Sequence, residues 1–191
     1  MRWHKREIAC CANPWNMILV VAWLCFAAIL ISPAARAQND CKIVHDAIGK
    51  SITLPSHAYE AETDPARPSA AATKHEIIHT GGDTYVLIEG KWKKSPMSAA
   101  DARAQEEENW KNAKNVSCKY LRDESVKGES AAVYGTHNEN EDTKEDGQVW
   151  VSKSKGLLLR EEQDVNLGAG DKRHISTRFE YGNVQAPAVS P

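Results

Sequence analysis

The last third of the chain has the clearest pattern of hydrophobic and polar positions. Three short runs rich in β-branched, aromatic and leucine residues are separated by breaks that contain glycine. Such runs are typical of strands in an antiparallel meander. They span residues 148–153, 157–162 and 173–187. We therefore expect the chain to close with three neighbouring strands.

Further β-type segments precede this meander. Residues 74–80 and 84–89 flank a Gly81-Gly82-Asp83 turn and predict a β-hairpin. Additional extended segments are expected at 51–63, 91–94, 116–123 and 130–137, and an acidic loop at 138–147. The pattern predicts an antiparallel sheet of roughly eight strands, without an internal repeat.

Two segments carry helix signals. Asn39 or Asp40 can cap a first helix, which Gly49 would end. A second helix is expected to start at Ser95-Pro96, or at Ser98 with Asp101, and to run to about residue 114. Together with the strands, these helices predict an α+β fold in which one helix is inserted into the sheet sequence.

The N-terminal segment has the order of a secretory signal peptide. A basic start precedes the apolar run 17–31, and Ala35-Arg36-Ala37 supplies small residues before a cleavage point. The run is shorter than the roughly 20 residues that span a bilayer, so a retained anchor is the weaker alternative. We expect a signal peptide at 1–37 with cleavage after Ala37, one domain at 38–185, and a disordered tail at 186–191. The expected location is the periplasm.

Removing the signal segment changes the charge. The segment holds four basic residues and one acidic residue, so 24 − 4 = 20 basic and 26 − 1 = 25 acidic residues remain, a net charge of −5. Nucleic-acid binding depends on a basic surplus that neutralises phosphates. The mature chain lacks this surplus, and we expect no nucleic-acid partner.

Cysteine usage also changes on cleavage. Only Cys41 and Cys118 remain in the mature chain. In an exported protein such a pair predicts one disulfide, which would restrict the unfolded chain by roughly 4–5 kcal/mol. Two unpaired thiols are the alternative.

The string His75-Glu76-Ile77-Ile78-His79 matches the motif of zinc metallopeptidases. That chemistry requires a helix, because only helical spacing brings both imidazoles to one metal ion. The two isoleucines and the following glycine turn favour a strand, in which His75 and His79 would stand about 13 Å apart. The motif therefore predicts no metal centre, and zinc peptidase activity ranks third among the possible functions.

Other motifs offer little chemistry. The segment Lys91-Trp92-Lys93-Lys94 could touch an anionic membrane surface transiently, but an edge strand with Trp92 inward fits it better. The acidic loop lacks the ligand spacing of a calcium-binding loop, and no Ser lies in a nucleophile-elbow context. We expect neither a catalytic residue nor a cofactor.

The order of several short motifs resembles the lipoprotein-carrier-like (LolA/LppX-like) superfamily, in particular its small uncharacterised bacterial members. The resemblance extends from Cys41 to Pro187. Its strongest points are Gly90-Lys91-Trp92-Lys93-Lys94-Ser95-Pro96, Trp150-Val151-Ser152-Lys153 with Gly156-Leu157-Leu158-Leu159-Arg160, and Phe179-Glu180-Tyr181-Gly182-Asn183-Val184. It implies a curved antiparallel sheet forming a half-open β-barrel, with the helices on its concave side.

The resemblance also implies a function. The leading hypothesis is a periplasmic protein that binds or shields a lipid or lipoprotein acyl chain in an apolar half-barrel cavity. The alternative is a non-enzymatic scaffold or interaction domain whose core is filled by its own side chains. Trp150, Leu158 and Phe179 are candidate cavity or core residues. No functional residue of the superfamily can be placed on a matching position of this chain.

Overall fold

The computed structural model describes residues 33–189, with side chains from residue 38 onward. This part of the chain forms two helices and nine strands. In order they are α1 (Pro33–Thr53), β1 (Ser56–Thr63), β2 (Thr73–Thr80), β3 (Asp83–Ile88), β4 (Lys91–Lys94), α2 (Ala99–Asn112), β5 (Asn115–Val126), β6 (Glu129–Glu139), β7 (Lys144–Ser152), β8 (Leu158–Asn166) and β9 (Lys172–Tyr181). The predicted signal peptide falls almost entirely outside the described residues, as does the end of the predicted tail.

All nine strands belong to one antiparallel sheet with the order β4-β3-β2-β1-β9-β8-β7-β6-β5. The last strand, β9, pairs with the first strand, β1, in the middle of the sheet. The outermost described strands, β4 and β5, do not pair, so the sheet stays open. Helix α2 connects these two edges. The α+β, half-open architecture is therefore confirmed, with nine strands instead of roughly eight.

The closing meander is confirmed, because β7, β8 and β9 are successive neighbours in the sheet. The predicted acidic loop at 138–147 is too long. His137 and Asn138 pair with Asp146 and Glu145 as strand residues, and only the turn around Asn140 interrupts them. Cross-strand contacts compensate the charges, since the His137 Nδ1 lies 2.7 Å from an Asp146 carboxylate oxygen.

Helix α1 continues beyond Gly49, where the sequence predicted its end. Ser51 and Thr53 donate side-chain hydrogen bonds to the carbonyls of Ile48 and Gly49 within this last turn. Gly49 has a different role, because a Cβ atom at this position would overlap the guanidinium group of Arg103 in α2. The glycine leaves room for the Arg103 side chain beside α1.

Helix α2 begins as the sequence predicted. The Ser98 hydroxyl accepts a hydrogen bond from the Asp101 amide, and the Asp101 carboxylate accepts one from the Ser98 amide. This reciprocal capping box satisfies two N–H groups that the helix itself cannot. No helix in the described part of the chain is long and apolar enough to span a membrane.

The main core lies between α1 and one face of the sheet, which we call the helix face. Val44 and Ala47 of α1 pack against apolar residues of β5–β8. The buried members of this cluster are Val44, Ala47, Cys118, Ala132, Tyr134, Val149, Val151 and Leu158. A disulfide between Cys41 and Cys118 fixes α1 to β5, with a Cα–Cα distance of 4.9 Å.

The opposite face of the sheet, which we call the outer face, has its own small cluster. Ala131, Val133, Trp150 and Leu159 are buried there. The outer face continues across the neighbouring strands through three cross-strand pairs. These are Trp150 with Arg160, Arg160 with Arg178, and Arg178 with Tyr59. The strands β6 to β8 therefore bury apolar side chains on both faces.

The edge strand β4 is confirmed, and Trp92 is its half-buried residue while its three lysines are exposed. Val86 of β3 is in register with Ile77 of β2, which lies on the helix face, so the next residue, Leu87, lies on the outer face. Trp92 is paired with Leu87 and therefore lies on the outer face as well. There the Trp92 ring meets the His57 ring edge-on, at a centroid distance of 5.9 Å. Since side chains alternate along a strand, Lys91 and Lys93 lie on the helix face.

Candidate functional site

A cavity lies on the helix face, between the two helices and strands β5–β8. Its volume is about 540 Å³, within the range of small-molecule sites. One part of its wall is apolar and is formed by Val44, Ile48, Trp110, Val116, Val149 and Val165. The other part carries the carboxyl groups of Glu106, Glu145 and Glu161. We call this space the carboxylate cavity.

Strand alternation places the acidic residues in the cavity. Glu161 is paired with Val149, and Glu145 with Val165, so both glutamates share the helix face with core valines. Glu106 reaches the cavity from α2. The carboxyl groups thus come from three elements that are far apart in the sequence.

The environment of these carboxyl groups disfavours their charged form. Burial, together with the nearby carboxylates of Glu106, Glu145 and Glu60, raises the pKa of Glu161 to about 7. Burial also raises the pKa of Glu106, although Arg103 acts in the opposite direction. Glu161 accepts a hydrogen bond of 2.8 Å from the Gln163 amide. At neutral pH Glu161 is therefore partly protonated.

Amide groups complete the polar wall. The Asn138 amide nitrogen lies 3.5 Å from a Glu145 carboxylate oxygen. Its amide oxygen is buried and accepts no hydrogen bond from any described residue. Leaving such an acceptor unsatisfied costs free energy, so the position favours a ligand with an N–H or O–H donor.

The cavity lining also includes a histidine and several amide and hydroxyl groups. His137 also lines the cavity, but its Nδ1 is engaged by Asp146 at 2.7 Å. A carboxyl group with a pKa near 7 is a feature that catalytic acids share with structural carboxyl clusters. The remaining lining residues are mainly amides, threonines and apolar side chains.

The three candidate residues from the sequence occupy different places. Leu158 is buried in the main core with 1% exposure, and Phe179 packs against that core. Trp150 is buried on the outer face with 4% exposure. None of the three is among the residues that line the carboxylate cavity. Phe179 does line a second, smaller cavity of about 160 Å³ beside Tyr181.

Sequence reasoning missed the acidic residues of the cavity. A signal was available in the closing meander, where Glu161, Gln163 and Val165 alternate with residues of the other face. Because Glu161 shares its strand face with the buried Val165, this alternation indicates a polar group in the interior. The partner Glu106 has no such signal, because α2 is polar over most of its surface.

The two histidines of the metallopeptidase-like string lie on strand β2, as the sequence predicted. His79 contacts the Thr84 hydroxyl at 3.1 Å, and burial lowers its pKa. His75 is exposed and lies opposite Glu60 of β1. Side-chain ligand atoms of His75, Glu60 and Glu62 all lie within 4.8 Å of one another. The two histidines therefore have separate environments.

Several solved structures are similar to this chain in fold. The lipoprotein LppX of Mycobacterium tuberculosis is 12% identical, with a TM-score of 0.40, and the match covers 75% of this chain and 97% of LppX. LprF of Mycobacterium bovis is 10% identical, with a TM-score of 0.39 and coverage of 81% and 97%. In the MucA/MucB complex of Pseudomonas aeruginosa the matched chain is 10% identical, with a TM-score of 0.47 and coverage of 78% and 59%.

At this level of identity the likeness concerns the course of the chain and carries nothing about ligand or partner. The sequence matches no family model and no curated protein.

Proposed function

We propose that the protein is an exported, non-enzymatic binding protein of the periplasm and that its carboxylate cavity holds an amphipathic ligand. The order of basic, apolar and small residues in the first 37 positions supports export. The Cys41–Cys118 disulfide supports an oxidising compartment. N-terminal sequencing of the exported protein, with Gln38 as the expected first residue, tests this step.

The composition of the cavity wall is the observation that carries the proposal. An apolar part near Val44 and Trp110 faces a polar part with Glu145 and Glu161. A lipid or lipoprotein acyl chain suits the first part. An amine or another N–H donor suits the second, because it would offset the carboxylate charge and satisfy the Asn138 oxygen.

A wholly apolar interior, which the family resemblance implied, does not fit the strands near the centre of the sheet. On the helix face, Glu161 of β8 is paired with Thr177 of β9, which is in turn paired with Glu60 of β1, so this row of residues is polar. The apolar residues of β6–β8 are already packed against α1. The proposed ligand is for this reason amphipathic rather than purely hydrocarbon.

Two probes with the same chain length and opposite head groups test the proposal. Dodecylamine and laurate are titrated against the exported protein, with Trp110 fluorescence as the reporter because Trp110 lines the cavity. We expect saturable binding of the amine, weakened about tenfold by Glu145→Gln, which corresponds to about 1.4 kcal/mol. Glu141→Gln, at an exposed turn position, is the matched control.

Each result has a defined meaning. Loss of the signal in Trp110→Phe would place the probe in the cavity. Equal binding of laurate and dodecylamine would contradict the role of the carboxylates. Native mass spectrometry of the gently purified protein provides an independent check, since a co-purifying lipid or lipoprotein fragment is the expected result.

A scaffold or interaction domain is the second candidate. The eight-residue core cluster packed between α1 and the helix face of β5–β8 favours it. Absence of any bound molecule in native mass spectrometry, together with no binding of either probe, would support this alternative.

Transient contact with an anionic membrane surface through Lys91 and Lys93, both exposed on β4, is also part of the proposed function and is tested by vesicle co-sedimentation.

A further inference from the structure

Strands β1 and β2 bring three potential metal ligands together on the helix face. Glu60 and Glu62 are two positions apart on β1 and therefore point to the same side. His75 of β2 lies directly opposite Glu60. The carboxylate oxygens and the imidazole nitrogen all lie within 4.8 Å of one another.

Two of these side chains have no competing partner. Neither the Glu60 carboxylate nor the His75 imidazole makes a hydrogen bond or an ion pair with another side chain in the described part of the chain. Glu62 is held by Arg173, with 2.9 Å between its carboxylate oxygen and the guanidinium nitrogen. The arrangement thus combines one anchored carboxylate with a carboxylate and an imidazole that are free to bind.

Other histidines beside carboxylates differ in this respect. In His174 both ring nitrogens are engaged, Nδ1 by Asp164 at 2.9 Å and Nε2 by Glu162 at 3.0 Å. In His137 the Nδ1 contacts Asp146 at 2.7 Å. These imidazoles are held in hydrogen-bonded pairs, whereas His75 retains a nitrogen available to a ligand.

We propose that Glu60, Glu62 and His75 form a binding site for a divalent transition-metal ion, with Zn²⁺ as the representative ion. One imidazole and two carboxylates are a ligand set that such ions accept, and three protein ligands leave a fourth position open. Metal–ligand bonds of roughly 2.0–2.2 Å require the side chains to close by about 1 Å around the ion. The exposed His75 and the unpaired Glu60 have the freedom to do so.

The site uses the metallopeptidase-like string in an unexpected way. Its first histidine, His75, binds the ion together with carboxylates from the neighbouring strand. Its second histidine, His79, lies beside Thr84 and takes no part. This division separates the proposed site from the helical two-histidine site, which needs both.

Calorimetric titration of the chelator-treated exported protein with Zn²⁺ tests the inference. We expect one ion per chain for the unaltered protein and for His79→Ala and His174→Ala. His75→Ala and Glu60→Gln should each weaken binding by at least about tenfold, the lower end of the effect of disturbing a metal site. Zn²⁺ should also raise the unfolding temperature of the unaltered protein and of His79→Ala, but not that of His75→Ala.

Several results would overturn the inference. These are the lack of stoichiometric Zn²⁺ binding by the unaltered protein, unchanged binding in His75→Ala, or a loss in His79→Ala equal to that in His75→Ala. Unfolding temperatures measured with chelator present verify that each variant is folded. The inference does not rest on the proposed amphipathic ligand, because Glu60, Glu62 and His75 are not among the residues that line the carboxylate cavity and the Zn²⁺ titration uses no amphipathic probe.

Discussion

The guanidinium group of Arg160 lies over the ring of Trp150, with 4.6 Å between the Arg160 Cζ and the ring centroid. The two residues are cross-strand partners on β8 and β7. Arg178 covers Tyr59 in the same way at 4.4 Å. Because Arg160 and Arg178 are themselves paired, two like charges stand side by side, and each is balanced by an aromatic ring and a nearby glutamate.

This relationship predicts that Arg160→Ala destabilises the protein by about 1 kcal/mol, the usual size of a partly exposed cation–π contact. The loss should appear as a lower urea midpoint with an unchanged slope. Lys172→Ala, at an exposed position on β9, is the control and should leave the midpoint unchanged. An equal loss in both variants would mean that the Trp150 contact contributes nothing specific.

The disulfide between Cys41 and Cys118 predicts a larger loss of stability than the Arg160 contact does. Replacing both Cys41 and Cys118 by serine removes the link between α1 and β5, and we expect a loss of roughly 4 kcal/mol in the free energy of unfolding. Urea unfolding should give the same free energy of unfolding for the variant and for the reduced protein. Titration of the denatured, unreduced protein should find no free thiol from these two cysteines. Two free thiols would contradict the crosslink.

The position of the Arg103 side chain beside α1 predicts an interaction between Gly49 and Arg103. Gly49→Ala should be destabilising by no more than about 1 kcal/mol, because the overlapping guanidinium group is the flexible end of Arg103 and can move away when it gives up its hydrogen bond to the His45 carbonyl. In an Arg103→Ala background the same change should be neutral or stabilising, since alanine is the better helix former. The double-mutant cycle measured by urea unfolding gives this coupling directly. Additive effects would show that Arg103 is not what limits the space.

Much of the fold could be predicted because its signals are local. Alternation and glycine turns defined the hairpin of β2 and β3 and the closing meander, and Ser98 with Asp101 marked the start of α2. The end of α1 could not be predicted in this way. Glycine commonly ends a helix, so the sequence predicted the end of α1 at Gly49. The residue that contacts Gly49 in space is Arg103, which is 54 positions away in the sequence, so no local pattern shows that the glycine makes room for it.

The candidate site was less predictable, because alternation assigns residues to two faces without saying which face is the interior. Ala131 to Tyr134 are all buried, so strand β6 gives no indication of its inner side. Trp150 therefore could not be assigned to the outer face from its own segment. The meeting of Glu106 with Glu161 depends on how α2 crosses the sheet, which no local pattern specifies.

The raised pKa of Glu161 predicts a pH dependence of stability. In the unfolded chain this carboxyl group ionises at its ordinary value of 4.5, whereas in the folded protein burial raises the pKa to about 7. The folded state therefore holds a proton that the unfolded state releases, and stability falls as the pH rises from about 5 to about 8. Glu106, Glu145 and Glu60 are the carboxyl groups that face it.

Glu161→Gln should remove this loss of stability. The variant and the unaltered protein should unfold at similar urea concentrations at pH 5, while at pH 8 the variant should be more stable by up to about 3 kcal/mol. A smaller slope should persist in the variant, because burial also raises the pKa of Glu106. Glu108→Gln, exposed on α2, should retain the full dependence. With chelator present throughout, equal pH profiles for the two variants would show that the Glu161 carboxyl group is not held in its protonated form by the fold.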